Sequence, residues 1–131
     1  MTNVGCLSFV RIVSVVGAAF LPACAQVSPP EPQDGVTDVS ISGLAFEPRS
    51  VTIRAGESVR WTNLESVPIS HSSTSGEPGD PDGVWDSGTL SPGESFSETF
   101  DEPGEFIYYC RFHPNVPAMV GAKVIVEEDT P

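Results

Sequence analysis

Residues 105–119 read EFIYYCRFHPNVPAM, and they combine the alternation of a β-strand with a cluster of metal-binding side chains. In the first six residues, alternation places Tyr108 and Cys110 on the inward face of a strand and turns Tyr109 outward. Cys110 then ends the strand, and His113 follows three residues later in the next loop. The stretch therefore predicts a strand that ends in a thiol and a loop that brings an imidazole beside it.

Four side chains after residue 25 make up the supply of soft or borderline metal ligands. They are one thiol, one thioether and two imidazoles: Cys110, Met119, His71 and His113. His71 must come from a distant segment, whereas the other three lie within ten residues. A cysteine and two histidines in a plane, with a methionine further off, form the mononuclear copper site of the blue type. This inventory matches such a site.

Composition indicates a small all-β domain with an acidic surface. The chain has 131 residues, and 18 acidic against 6 basic side chains give a net charge of −12. Phosphate binding needs a concentration of Lys and Arg, so nucleic acid is excluded as a partner. Acidity favours docking with a basic partner, although a solvated surface without one is equally common. The 12 glycines and 13 prolines, and the lack of 3.6-residue apolar spacing, argue against helices.

The first 25 residues have the pattern of an export signal, so we expect a periplasmic or other extracytoplasmic location. Arg11 precedes an apolar run at residues 12–21, which is shorter than the about 20 residues needed to span a bilayer. Residues 21–24 resemble the lipobox of bacterial lipoproteins, in which Cys24 is lipidated and tethers the protein to a membrane. Residues 23–25 instead fit cleavage after Ala25 by ordinary signal peptidase.

Beyond the signal, residues 26–35 predict a proline-rich linker, residues 36–128 the folded domain and residues 129–131 a short tail. Alternating segments separated by turns predict six strands, with a seventh around residues 84–87. This pattern is typical of an all-β Greek-key sandwich or barrel of about 7–8 strands.

Two stretches depart from the pattern. Glu98 alternates with Phe96 and Phe100 on one face of a strand, which requires either a bulge or an edge position. Residues 63–92 show little strand signal, and a structureless connection of this length is usually functional or disordered. The acidic side chains in this region form no recognisable calcium loop, so they predict a solvated surface rather than a calcium site.

A series of short motifs runs through the domain: Phe46-Glu47-Pro48, Val51-Thr52-Ile53, Gly56, Val59-Arg60-Trp61-Thr62-Asn63, His71, Asp86-Ser87-Gly88, Pro92-Gly93, Phe100, Pro103-Gly104, Tyr108-Tyr109-Cys110, His113-Pro114 and Met119-Val120-Gly121. The series resembles the plastocyanin and amicyanin branch of the cupredoxins. The resemblance implies a Greek-key sandwich that holds one type 1 copper and carries single electrons. By position, the ligands it implies are His71, Cys110, His113 and Met119.

The ligand loop is longer than the loops of either relative. Amicyanin-like loops place the axial methionine three residues after the second histidine, where this chain has Val116, and plastocyanin-like loops place it five after. Met119 comes six residues after His113. It remains the expected axial ligand because it precedes Val120 and Gly121 as the methionine of the family precedes its final strand.

The resemblance also implies that the second histidine lies at the edge where electrons pass. Around His113, the apolar residues Pro114, Val116 and Pro117 predict a docking patch for a redox partner protein. The outward Tyr109 beside Cys110 resembles a second electron route. We expect the protein to act as a monomer.

Other interpretations remain open at this stage. Cys110 alone could be an inert buried thiol, His71 a surface histidine and Met119 a core residue that fills a gap. The protein could deliver copper without relaying electrons, or serve as a metal-free interaction module. An enzyme is not expected, since copper oxidases and nitrite reductases need further histidines. A structural zinc site is a further alternative, but zinc sites prefer Cys, His and carboxylate ligands over a thioether, so Met119 argues against it.

Overall fold

A computed structural model describes residues 35–130, which form nine β-strands and a short 3-10 helix at Pro117–Met119. In chain order, the strands are β1 (Val36–Ser42), β2 (Ala45–Glu47), β3 (Ser50–Arg54), β4 (Glu57–Asn63), β5 (Thr74–Glu77), β6 (Asp80–Asp86), β7 (Ser95–Phe100), β8 (Gly104–Tyr109) and β9 (Ala122–Glu127). The predicted export signal, including Cys24, and all but the last residue of the predicted linker lie outside the described residues. Within that range, no helix has the length and apolar character needed to cross a membrane.

The strands form two mixed sheets. One sheet has the order β2-β1-β4-β7, and the other has the order β3-β9-β8-β5-β6. The pairs β1–β4 and β3–β9 are parallel, while the other pairs are antiparallel. Parallel neighbours need long connections, so the chain passes repeatedly from one sheet to the other. The predicted all-β sandwich is confirmed, with nine strands in the described part of the chain rather than seven or eight.

Aromatic side chains fill the space between the sheets. Trp61 is fully buried, and its ring stacks on Trp85 with centroids 5.5 Å apart and meets Tyr108 edge-on at 5.4 Å. Phe100 lies edge-on against Trp85 at 5.2 Å. Fully burying an apolar side chain of this kind stabilises the fold by about 1.5–3 kcal/mol. Trp61 and Phe100 are core residues, as the alternation of their strands predicts.

An edge position accommodates Glu98. Its strand, β7, lies at the edge of the four-stranded sheet and pairs with β4 in a continuous register from Ser95 to Phe100. Glu98 is half-buried, which lets the carboxylate reach solvent past the open edge. Of the two alternatives that the sequence allows, the edge position is therefore the one observed.

The predicted seventh strand around residues 84–87 is confirmed by β6. The expectation of little other strand structure in residues 63–92 is wrong, because β5 pairs with β6 in a hairpin there. The sequence conceals β5 because its buried side chains are polar: Thr74 and Ser75 are at most 2% exposed. Hydrogen bonds compensate for this burial. The hydroxyl of Ser75 accepts from the Trp85 backbone N–H at 2.9 Å and donates to the Trp85 carbonyl at 3.1 Å.

The five-stranded sheet brings two distant chain segments to the same end of the sandwich. Its central strand β8 ends at Tyr109, immediately before Cys110. The neighbouring strand β5 pairs Thr74 with Tyr109, so the residues that precede β5 run beside Cys110. His71 is among them, held by paired backbone hydrogen bonds to Leu90. The register of the sheet therefore brings the His71 imidazole beside the Cys110 thiol.

Candidate metal centre

His71, Cys110 and His113 form a compact cluster of potential metal ligands. Their donor atoms all lie within 4.8 Å of one another. The Cys110 sulfur lies 3.8 Å from Nδ1 of His71 and 3.5 Å from Nδ1 of His113. Metal bonds of about 2.3 Å to sulfur and about 2.0 Å to nitrogen, at trigonal angles, separate the two donor atoms by about 3.7 Å. Both sulfur-to-nitrogen distances are therefore close to those expected around one ion.

The ligand loop is a series of three turns. The N–H of His113 donates to the Cys110 carbonyl at 3.3 Å, that of Val116 to His113 at 3.1 Å, and that of Met119 to Val116 at 2.9 Å. The Cys110 N–H then donates to the Met119 carbonyl at 2.8 Å and closes the loop at its base. The additional turn explains how a methionine six residues after His113 still returns to Cys110.

Backbone and hydroxyl groups of Ser72 hold the thiol in place. The Ser72 N–H donates to the Cys110 sulfur at 3.3 Å, and the Ser72 hydroxyl accepts from the Arg111 N–H at 2.9 Å. Both Ser72 and Cys110 are fully buried. An N–H directed at sulfur stabilises the thiolate, which is the form of cysteine that binds metals. Ser72, which directly follows His71, thus restrains the Cys110 thiol.

A carboxylate secures His71 on the side away from the thiol. Oε1 of Glu65 accepts from Nε2 of His71 at 3.0 Å and from the backbone N–H of Leu44 at 3.1 Å. The Glu65 side chain is only 8% exposed and that of His71 is fully buried. With Nε2 as the donor, Nδ1 carries the lone pair and faces Cys110.

The fully buried amide of Asn63 closes the loop that carries Glu65. Its Nδ2 donates to the carbonyls of Ile69 at 2.9 Å and Leu90 at 2.8 Å, and its Oδ1 accepts from the Glu65 N–H at 3.0 Å. Asn63 therefore fixes both ends of residues 64–70, which lead into His71. No local motif indicates Glu65, because it contacts His71 only through this loop closure.

The electrostatic surroundings favour neutral imidazole and ionised carboxylate. Burial lowers the pKa of His113, the proximity of His71 lowers it further, and Glu65 acts in the opposite direction. The Leu44 N–H is the main cause that lowers the pKa of Glu65; burial opposes it, and the bond to His71 adds to the lowering. A neutral imidazole has the free lone pair that metal binding requires.

The structure brings together three of the four side chains that the sequence singles out. Met119 is also fully buried, packs in the same core cluster as Cys110 and accepts the Cys110 N–H through its carbonyl. Tyr109 differs from expectation. It is only 4% exposed, so it offers no surface route for electrons. Alternation assigns a residue to a face of a sheet, but it does not show what covers that face.

The surface near the cluster is apolar. His113 is half-buried, Pro114 and Pro117 are exposed, and Val116 is half-buried. Three large hydrophobic side chains that the sequence analysis did not single out are also exposed in the two loops around the site: Leu64 at 55%, Val67 at 48% and Phe112 at 46%. Exposed apolar side chains therefore occur both in the ligand loop and in the loop that leads into His71.

One thiol and two imidazoles can hold a metal that changes its oxidation state. Thiolate suits Cu(I) and imidazole suits Cu(II), so the mixed set does not strongly favour either form. The donor atoms come from two segments fixed by sheet pairing, loop turns and buried hydrogen bonds. A metal held by donors restrained in this way would change little in geometry between oxidation states, which is the requirement for fast electron transfer.

Comparison with known proteins identifies a family of copper-binding proteins. The family described as copper binding proteins, plastocyanin/azurin family, matches residues 33–127. Amicyanin-alpha of Methylorubrum extorquens is 34% identical over 124 residues, which cover 92% of this chain and 98% of that protein. Chloroplastic plastocyanin of Tetradesmus obliquus is 43% identical over 90 residues, which cover 64% of this chain; the match spans 59% of the length of that relative.

Solved structures give the same result. A purple cupredoxin from Nitrosopumilus maritimus is 31% identical, with a TM-score of 0.58, over 69% of this chain and 98% of that one. A copper-containing nitrite reductase from Thermus scotoductus is 24% identical with a TM-score of 0.58, and the match covers 22% of its chain, so it shares the fold alone. The chain thus belongs to the plastocyanin/azurin family of copper-binding proteins and is a cupredoxin.

Proposed function

We propose that this protein is an exported type 1 copper protein that carries single electrons between redox partners. The observation that carries the proposal is the buried cluster of Cys110, His71 and His113, whose donor atoms lie within 4.8 Å of one another. In this proposal Cys110 binds through sulfur and both histidines through Nδ1. A bound copper ion supplies the one-electron Cu(II)/Cu(I) couple.

Met119 is the proposed axial ligand. Its support is the turn structure that returns it to Cys110, together with complete burial of its side chain. The role of the chain is to hold these donors in one arrangement through both oxidation states. Ser72 and Glu65 serve this role because each restrains one ligand from outside the cluster.

Electrons pass, in this proposal, through the half-buried His113 to a partner docked on the apolar surface around it. The proposed docking surface contains four residues of the ligand loop: His113, Pro114, Val116 and Pro117. We add three exposed residues: Phe112, which precedes His113, and Leu64 and Val67, which lie in the loop that leads into His71. The net charge of −12 favours a basic partner, because opposite charges steer association. We further propose that the protein works as a monomer and without enzymatic activity of its own.

Export follows from the signal-like residues 1–25, with the copper domain at residues 36–128. Cys24 either carries a lipid that tethers the protein to a membrane or is removed by cleavage after Ala25. The mass of the mature protein distinguishes the two, because lipidation at Cys24 adds acyl chains whereas cleavage after Ala25 leaves an unmodified N-terminus.

Electrochemistry tests electron transfer against copper delivery. We expect the copper-loaded protein to give one reversible one-electron wave and to keep its copper when a metal-free acceptor with thiol ligands is added. Rapid loss of copper to the acceptor, with no reversible wave, would instead favour a copper delivery protein.

A further inference from the structure

Within residues 35–130, one buried acidic side chain is bonded to a proposed ligand. It is the 8% exposed Glu65, whose Oε1 lies 3.0 Å from Nε2 of His71. We propose that Glu65 is a positioning residue that fixes the ring of His71 and, through its negative charge, lowers the reduction potential of the copper centre. This inference rests on the proposed function, since it needs copper at His71.

The local backbone prepares the carboxylate for this contact. Leu44, in the turn between β1 and β2, has a φ of 57°, a left-handed conformation that is uncommon for a residue other than glycine. In this conformation its N–H donates to the same Oε1 atom that accepts from His71. Asn63 holds the Glu65 backbone from the other side. Restraints from two loops therefore fix the carboxylate before any metal binds.

The position of Glu65 determines which nitrogen of His71 is free. A carboxylate that accepts from Nε2 holds the proton there, so Nδ1 presents its lone pair toward the Cys110 sulfur 3.8 Å away. A carboxylate partner also makes the imidazole a stronger donor. Stronger donation and a nearby negative charge both stabilise Cu(II) more than Cu(I), because Cu(II) carries the larger charge.

The Glu65→Gln substitution separates the effect of the carboxylate charge from the effect of the hydrogen bond that positions the His71 ring. The amide oxygen of glutamine can accept from both N–H groups, while the negative charge is lost. We expect the Cu(I)/Cu(II) affinity ratio to rise about tenfold, which corresponds to an upward shift of about 59 mV for a one-electron couple. The matched control is Glu57→Gln, since Glu57 also accepts a backbone N–H, from Arg54 at 2.7 Å, but lies at the start of β4, away from the cluster.

The Glu65→Ala substitution tests whether the carboxylate positions the His71 ring. We expect Cu(II) affinity to fall about 10- to 100-fold, the usual effect of removing a partner of a metal-binding histidine. In the metal-free protein, nitrogen NMR of the His71 ring should show the proton on Nε2 in the unaltered chain and a mixture of tautomers in this variant. Should the variant not fold, the glutamine variant and the spectrum of the unaltered chain still test the proposal.

Two results would overturn the inference. A potential in Glu65→Gln that matches the Glu57→Gln control would show that the charge does not tune the couple. A metal-free spectrum with the proton of His71 on Nδ1 would show that Glu65 does not position the ring. By contrast, an unaltered chain that binds no copper would refute the proposed function, and the spectrum would still test positioning.

Discussion

Met119 contributes to the site through its backbone as well as its side chain. Its carbonyl accepts the Cys110 N–H, and its side chain lies fully buried in the core cluster that also contains Cys110. The observed core role is therefore compatible with the proposed ligand role. Replacement by leucine separates them, because the volume is nearly conserved while the thioether is lost.

We predict that Met119→Leu folds and binds copper but has a higher reduction potential. The substitution should cost less than about 1.5 kcal/mol of folding free energy, since it conserves volume. Loss of the thioether removes a donor that tunes the couple, and an apolar group disfavours the more highly charged Cu(II). Voltammetry measures the shift. An unchanged potential would show that Met119 serves only as a core residue.

Glu98 is a polar residue on an otherwise apolar face, between Phe96 and Phe100 on the edge strand β7. Partial burial raises its pKa, because the charged form is less well solvated in the folded state. A raised folded-state pKa means that protonation favours folding. The stabilisation is therefore fully present at low pH and is lost as the pH rises through the folded-state pKa.

Glu98→Gln should consequently increase the free energy of unfolding at pH 7 by about 0.5 kcal/mol, which is the usual size of the effect of substituting a partly exposed residue. The difference from the unaltered protein should shrink as the pH falls below the ordinary range of a glutamate. Urea unfolding at several pH values measures it, with Glu105→Gln on β8 as a control whose charge pairs with Lys123 at 2.7 Å. A constant or reversed difference would contradict the burial of Glu98.

At the scale of elements, sequence patterns predicted seven of the nine described strands and missed the three-residue strand β2 and the strand β5. Val59 and Trp61 alternate in β4, as do Phe106 and Tyr108 in β8, so both strands were predictable. In β5 the buried residues are Thr74, Ser75 and Gly76; none is apolar in the usual sense of a strand core, and the Ser75 hydroxyl bonds to the backbone of Trp85 on β6.

The same distinction applies to the candidate site. Cys110 and His113 share a loop, so their proximity could be read from spacing, whereas His71 required a family resemblance because sheet pairing brings it in. Glu65 could not be predicted, since its contact with His71 depends on the loop that Asn63 closes. Contacts made by tertiary structure leave no periodic pattern in the sequence.

The β5–β6 hairpin depends on a glycine at a close approach of the two strands. A Cβ on Gly76 would lie 2.5 Å from the Asp80 carbonyl oxygen, and its φ is 103°. Gly79 has a similar φ of 83°, but nothing lies within 4 Å of its Cβ position. The two glycines thus differ in available space and not in the type of backbone conformation.

We predict that Gly76→Ala destabilises the domain by more than about 2 kcal/mol, whereas Gly79→Ala costs about 1 kcal/mol for its backbone conformation alone. Thermal or urea unfolding of the metal-free variants measures both. Equal losses in the two variants would mean that the close approach at Gly76 does not limit the hairpin.

At the scale of the whole molecule, the chain combines a net charge of −12 with large hydrophobic side chains that are exposed in the loops near the metal centre. In the proposed function, the negative charge steers encounter with a basic partner, and the proposed docking surface provides the contact. Substitution of two equally exposed valines distinguishes contact at the docking surface from the long-range effect of charge. Val67, in the docking surface, and Val84, on β6, are each 48% exposed.

We predict that Val67→Ser slows electron transfer to a basic partner protein about fivefold, the effect of losing about 1 kcal/mol at a contact. Val84→Ser should leave the rate unchanged. Both rates should fall as salt is added, because salt screens the attraction. Stopped-flow mixing measures the rates, and equal slowing by the two variants would place the docking site elsewhere.

The most direct test of a copper centre at Cys110 is the visible absorption spectrum of the metal-free protein during titration with Cu(II), beside Cys110→Ser. We predict an intense thiolate-to-copper charge-transfer band that saturates at one equivalent and is absent from the variant. A pale solution for both proteins throughout the titration would contradict Cys110 as a copper ligand, and with it electron transfer as the function.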